Sequence, residues 1–311
     1  MTSLANSHGD DSDARARSLG MALIIVSSVM ISFGGLVSRQ IDAADASQIN
    51  IYRALSTAAV ALIVLLYRYR GDTPARIMQI GWPGLAGAAI LSVAGIAFMQ
   101  AMTTTTVANT LFTLSAIPFV TAFLAFIFLK ERLSRVTLCT MILAAVGVGV
   151  MMGEGLGGGS LYGNLMALVT AVGFSTYAVI VRHFRHIDML PVLLLSSIFL
   201  AAMAGAYKAG DWAIPWWDFW MCVIWGGLLS GIGNVMFLAA SRLLLAAELT
   251  FFMLLEFALG PLWVWIFVNE VPSSWTLAGG VLIMAAVTIR ALWQLQSSRR
   301  RLRRGRLPVP R

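Results

Sequence analysis

Two ionisable side chains, Arg53 and Glu256, fall inside stretches otherwise composed to exclude water. A charge at the centre of a membrane span costs about 2.5–3.5 kcal/mol on insertion scales, so such a residue faces a cavity or a partner. Arg53 stands about six residues into its apolar run and Glu256 about twelve into its own, near the midpoint. A guanidinium there can bind an anionic group such as a carboxylate. A carboxylate there can bind a cationic group or carry a coupling proton. Packing roles stand beside these: the two charges could pair with each other, or Arg53 could snorkel to the headgroups.

Other polar residues extend the set of candidate substrate contacts to Asn109, Glu248, Tyr177, Asn234 and Ser32. Asn109 and Glu248 occupy matching places near the starts of the fourth and ninth apolar runs, where they could line a cavity from opposite sides. Glu248 could equally be solvated there, favouring its helix N-terminus electrostatically. Asn234 and Gln100 are candidates for interhelical hydrogen bonds. Tyr177 and Ser175, with Ser32 at the matching place in the first run, suit either a cavity wall or a packed core. Glu131 and Glu270 end the fourth and ninth runs and read as ties for a helix turn. No HExxH, GxSxG or Walker A motif and no acidic metal cluster occurs, so neither an enzyme, a metal site nor another cofactor is expected. ATP is not the expected energy source either. Cys139 and Cys222 lie in apolar runs and read as buried thiols.

The scaffold that must hold these residues is membrane helix. Hydrophobic residues make up 59% of the chain and charged ones 12%, half of the ~25% usual in soluble domains. Mean hydropathy is +0.83. Span-length apolar runs fall at 18–38, 48–67, 80–101, 106–129, 134–152, 160–181, 190–207, 217–240, 245–268 and 274–293. The first lacks a small-residue cleavage site and is expected to remain as a span. With ten spans, 19 of the 22 basic residues collect on the side of the two ends, which predicts an inner-membrane protein with both termini cytoplasmic. The arginine-rich tail then reads as a topology anchor on anionic lipid, not a nucleic-acid patch. Trp212, Trp216, Trp217 and Trp220 suit an interfacial aromatic belt.

The chain also repeats itself. A shift of 143 residues aligns Gly20 with Gly163, Ser32 with Ser175 and Arg39 with Arg182. A shift of 139 aligns Gly87 with Gly226, Phe98 with Phe237, Ala101 with Ala240, Ala108 with Ala247, Glu131 with Glu270 and Leu138 with Leu277. Each half holds five spans, an odd number, so the second copy must be upside down relative to the first. The expected fold is therefore all-α integral membrane, with two inverted five-helix repeats (18–152 and 160–293) around a central cavity. Tails at 1–17 and 294–311 flank them. Inverted repeats are a common architecture of secondary transporters, with the site near the midplane between halves. The counterparts of Arg53 and Glu256 are Ser196 and Ile117, so the two charges are not symmetric scaffolding.

Several segments carry a family resemblance: ANTLFTLSAIP at 108–118 closing with LKERLS at 129–134, and AAEL at 246–249 with LEFALGP at 255–261 closing with NEVPS at 269–273. With WTLAGG at 275–280, they make the chain resemble the drug/metabolite transporter superfamily in its ten-helix EamA-type form. Phe257 stands where that family usually has proline, and Pro261 follows later, which predicts a displaced kink in helix nine. The resemblance implies helices one to four and six to nine around the cavity, with five and ten peripheral. It also implies proton- or exchange-driven movement of amino acids, nucleotides, sugars or other metabolites. The expected function is a secondary active transporter of a small polar metabolite, an amino acid or related organic compound, with export favoured. A passive pore is the alternative, and an intramembrane enzyme a more distant one. Expected partners are the small-molecule substrate, the lipid bilayer and a second copy packed through the glycines of helices five and ten, with no nucleic acid.

Overall fold

The computed structural model describes residues 3–303 except 132, 159, 160, 185–187, 189 and 245. Among these the chain is all helix, with no strand. Ten helices are long and apolar enough to cross a bilayer. Helix is the form that allows this, because in hydrocarbon each span must bond its own backbone N–H and C=O groups. An even number of crossings leaves both ends on one side, called here the termini face; the other is the far face.

Span one consists of α1 (Ser3–Ser32) and α2 (Gly34–Ser38), interrupted at Phe33. Span two is α3 (Ala46–Tyr69). A short α4 (Thr73–Gln79) precedes span three, α5 (Gly81–Thr104). Span four is divided into α6 (Val107–Leu114) and α7 (Ile117–Leu129). Spans five, six and seven are α8 (Arg135–Gly158), α9 (Leu161–His183) and α10 (Leu190–Lys208). Span eight joins α11 (Trp216–Val223) to α12 (Gly233–Ser241) through a π-helical stretch, Ile224–Ile232. Spans nine and ten are α13 (Ala246–Val268) and α14 (Ser274–Arg303). Helix thus reaches into both expected tails; residues 1, 2 and 304–311 lie outside the described part.

Local chemistry sets these boundaries. Asp45 starts span two with a reciprocal capping box to Gln48, and the Thr106 side chain caps α6. Pro118 sits in the first turn of α7, where a missing N–H costs nothing, and span four is interrupted just before it. The same residue type behaves differently in span nine, where α13 runs unbroken through Pro261.

Spans four and nine close in the same way. Lys130 and Asn269, aligned by the 139-residue shift, both adopt left-handed backbone (φ 55° and 57°) and stop the helix. Glu131 and Glu270 follow. Spans five and ten then open alike: the Ser134 hydroxyl accepts from the Thr137 N–H at 3.1 Å and Ser273 from the Thr276 N–H at 3.0 Å. Helix pairing has the same regularity. Span one packs on eight and nine as six packs on three and four; two packs on seven, and five on ten.

Lipid tails are as apolar as leucine, so close approach rather than hydrophobicity holds such helices together. Spans five and ten meet where Gly147 and Gly279 each lie against the other's backbone. Gly149 and Gly153 face open space. Large apolar side chains such as Ile63, Phe128, Phe267 and Val281 are exposed around the bundle, as a lipid-facing surface requires. Trp212, Trp216, Trp217 and Trp220 are exposed at the far-face end of span eight and before it, consistent with the aromatic belt.

Spans two and eight also cross in close contact. A Cβ on Gly226 would collide with the Arg53 carbonyl, and Thr57 Oγ1 donates 2.8 Å across the crossing to the Gly226 carbonyl. Gly226→Ala is expected to destabilise the protein by about 1–3 kcal/mol, the usual cost of overpacking. Gly149→Ala should be neutral or slightly stabilising, because alanine is the better helix former. Thermal unfolding of both variants in detergent checks this.

Candidate functional site

Arg53 lies two turns into span two, and its guanidinium points into the bundle rather than out to the headgroups. Its Cζ stands 5.8 Å from the Phe98 ring centre in span three and 5.4 Å from that of Trp225 in span eight. The two rings meet edge-on at 6.3 Å. Guanidinium over aromatic faces is an attractive arrangement, strengthened where water is excluded. Nη2 donates to Asn50 Oδ1 at 3.2 Å, while the buried Nε finds no partner among the described residues. Trp225 belongs to the π-helical stretch, a deformation common at functional sites. Gly34, just past the interruption in span one, leaves room for the Trp225 indole N–H.

Glu256 lies midway along span nine. Among the described residues no ion pair joins it to Arg53 or to any other cation. A buried Arg–Glu packing pair is therefore not how either charge is compensated. Glu256 shares a helical face with Gly260 and Trp263, four and seven residues on. That face meets span one at its interruption: Gly260 approaches the Ser32 carbonyl, Trp263 Nε1 donates to Ser32 Oγ at 2.9 Å, and Trp263 stacks on Phe33 at 5.0 Å. Ser32 is buried and serves this junction.

The remaining candidates disperse. Asn109 lies toward the far face, where its Nδ2 donates to Asn164 at 2.8 Å and its Oδ1 accepts from Thr276 at 3.2 Å. It ties together the starts of spans four, six and ten. Glu248 lies at the opposite end and pairs with Arg17, so the two matching residues do not face one another across a midplane cavity. Tyr177 packs against Gly87 and Val192, holding span six to spans three and seven. Asn234 returns its amide to Ser230 O at 2.7 Å, within its own helix. A cleft of about 660 Å³ lies among the far-face ends of the spans, lined by Arg39, Thr103–Thr106, Asn109, Val271, Ser273 and Thr276.

Several residues beyond the sequence candidates contribute. Phe98 and Trp225 form the Arg53 cage; their one sequence signal is that Phe98 is itself a repeat match and Trp225 precedes another, Gly226. Asp218 is buried and accepts from the backbone N–H groups of Ala43 and Ala44 at 3.0 and 2.8 Å, pinning the loop after span one. Arg290, counted from sequence with the charges of the termini face, is part of span ten, where it bonds Pro118 O and lies 5.3 Å from the Phe119 ring.

Comparison with known proteins places this architecture. The EamA-like transporter family matches residues 18–153. No curated protein matches the chain. A solved structure described only as "Crystal structure of protein" superposes with a TM-score of 0.64, covering 89% of this chain and 98% of its own at 17% identity. At that identity the likeness establishes the fold.

Asn109 and Asn234 give opposite expectations for truncation. Asn109→Ala removes bonds to two buried partners on other helices, although Asn164 keeps Thr105 and Thr276 keeps Ser273, and should cost about 1–3 kcal/mol. Asn234→Ala loses a bond within one helix and should cost well under that. Thermal unfolding in detergent measures both.

Proposed function

We propose that this chain is a membrane transporter of the EamA type in the drug/metabolite transporter superfamily, as the family match over residues 18–153 supports, and that it is a secondary carrier for a small polar metabolite. Its substrate class is an amino acid or related organic compound, moved by alternating access with export the favoured direction. The family is one of transporters, not enzymes.

One observation carries the substrate class: the spans hold a cation and a carboxylate that do not neutralise each other. Arg53 has an unused buried Nε and no acidic partner among the described residues, and Glu256 has no cation. Uncompensated charge in hydrocarbon is expensive, and a ligand of opposite charge is its natural complement. A zwitterion carries both complements. Its carboxylate would meet Arg53 within the Phe98–Trp225 cage; its ammonium, or a coupling proton, would meet Glu256.

Alternating access is supported by the matched helix ends and the exchange-symmetric pairing of spans, which suit two inverted halves at 18–152 and 160–293. The excess of basic residues on the termini face supports cytoplasmic ends in an inner membrane.

Counterflow in proteoliposomes tests this against a panel of amino acids, nucleosides, organic cations and sugars. Saturable counterflow of an amino acid, reduced at least about tenfold by Arg53→Ala or Glu256→Gln, is the expected result. Saturable transport untouched by both variants would remove the two charges from the site. Linear, non-saturating flux would make the chain a pore.

A further inference from the structure

Sequence alignment of the two halves matches Arg39 with Arg182 and Glu131 with Glu270. The structure joins these four residues crosswise. Arg39, ending span one, pairs with Glu270, ending span nine: Nε to Oε2 is 2.6 Å. Arg182, ending span six, pairs with Glu131, ending span four, at 3.0 Å. Each bridge therefore joins one half of the chain to the other. One lies at the far face and its counterpart at the termini face. Both glutamates stand directly after the left-handed stop of their helices, so the same backbone turn presents them.

The two bridges are in different states. At the far face Arg39 and Glu270 are 22% and 20% exposed. Arg39 also donates to the carbonyls of Met102 at 2.7 Å and Thr105 at 3.0 Å, and Glu270 Oε1 accepts from the Val107 N–H at 2.8 Å. The ends of spans one, three, four and nine are thereby knotted together. At the termini face Arg182 and Glu131 are 57% and 39% exposed, and among the described residues that single contact is what they share. An ion pair reinforced by backbone bonds and shielded from water holds its elements firmly, whereas an exposed pair contributes about 0–1 kcal/mol.

We propose that Arg39–Glu270 and Arg182–Glu131 are two equivalent latches, one per membrane face, each closing its face by tying one half of the chain to the other. In the structure described here the far-face latch is made and the termini-face latch is loose. Passage between the two accessible states exchanges them: the far-face knot opens as Arg182 and Glu131 tighten. This extends the alternating-access reading and rests on it. The role of Glu131 and Glu270 accordingly goes beyond ending their own helices, because each reaches an arginine from the other half.

Accessibility of a buried thiol reads the latch without any substrate. In a chain carrying Cys139→Ala and Cys222→Ala, Thr113→Cys places a reporter one turn deeper than Asn109 on the same face of span four, where Thr113 is buried. A membrane-impermeant maleimide is applied from the far face. Arg39→Glu and Glu270→Arg should each raise the labelling rate about fivefold or more, and the exchanged pair Arg39→Glu with Glu270→Arg should restore protection in part, since it remakes the ion pair but not the bonds to Met102, Thr105 and Val107. Arg182→Glu should leave labelling from the far face unchanged. Where a reversal does not fold, Glu270→Gln removes the charge at constant shape and should still raise labelling. Unchanged labelling in folded Glu270→Gln, or an equal rise in Arg182→Glu, overturns the latch. Counterflow that persists beside unchanged labelling removes the latch and keeps the carrier. Labelling that follows the bridges while no compound shows counterflow removes the carrier and keeps the bridge as what closes the far face.

Discussion

A guanidinium inside a bilayer must be repaid where it stands, and much of this bundle is arranged around that requirement at Arg53. No carboxylate pairs with it among the described residues, and two aromatic faces and one side-chain amide surround the guanidinium instead. Those groups come from three spans. Bringing them within reach needs spans two and eight to touch backbone to backbone, which Gly226 permits because it lacks a Cβ. Span eight in turn departs from α-helical winding around Trp225, and the gap left by Gly34 in span one admits the indole. A single expensive side chain is thus met by a glycine and a helix deformation in span eight and by a gap beside the interruption of span one.

The ends of the spans obey a different economy. There the backbone groups that helices leave unbonded meet water or side chains, and the chain satisfies them twice with the same devices. Left-handed stops at Lys130 and Asn269, and hydroxyl caps at Ser134 and Ser273, are local solutions repeated in each half. Other ends are tied laterally: Asn109 to Asn164 and Thr276 on one side, Glu248 to Arg17 on the other. A neutral amide knot and an ion pair therefore occupy corresponding places at opposite faces. The middle of the bundle, where Arg53 and Glu256 lie, shows no such correspondence, as expected if the halves share a scaffold and differ where a ligand without symmetry is held.

The ten spans, their order and their boundaries were legible from the sequence because each span must satisfy its own backbone. Hydropathy, capping residues and turn signals all act within one segment, and most apolar runs agree with the helices to within a few residues, while α1 and α14 run on into the expected tails, from Ser3 and to Arg303. The pairs Arg39/Arg182 and Glu131/Glu270 were legible as repeats too. Their crosswise partnership was not, since alignment relates equivalent positions and carries no information on which half each side chain reaches. Arg290 shows the limit from another direction: a charge near the end of an apolar run looks like a loop residue until a carbonyl at the interruption of span four is found beside it.

What tertiary structure alone decided is how the helices are rotated and which neighbours they meet. In a soluble helix the apolar stripe marks the inward face. Here lipid and protein interior are equally apolar, so the pattern of leucines, valines and phenylalanines is silent about which face turns inward. Phe98 and Trp225 look like any lipid-facing aromatics until three spans converge on Arg53, and Tyr177 looks like a cavity residue until Gly87 is found beneath its ring. The sequence determines that these helices cross the membrane, because crossing is a property of each segment. Where their side chains meet depends on close approach between segments far apart in the chain, and that is settled only when the bundle packs.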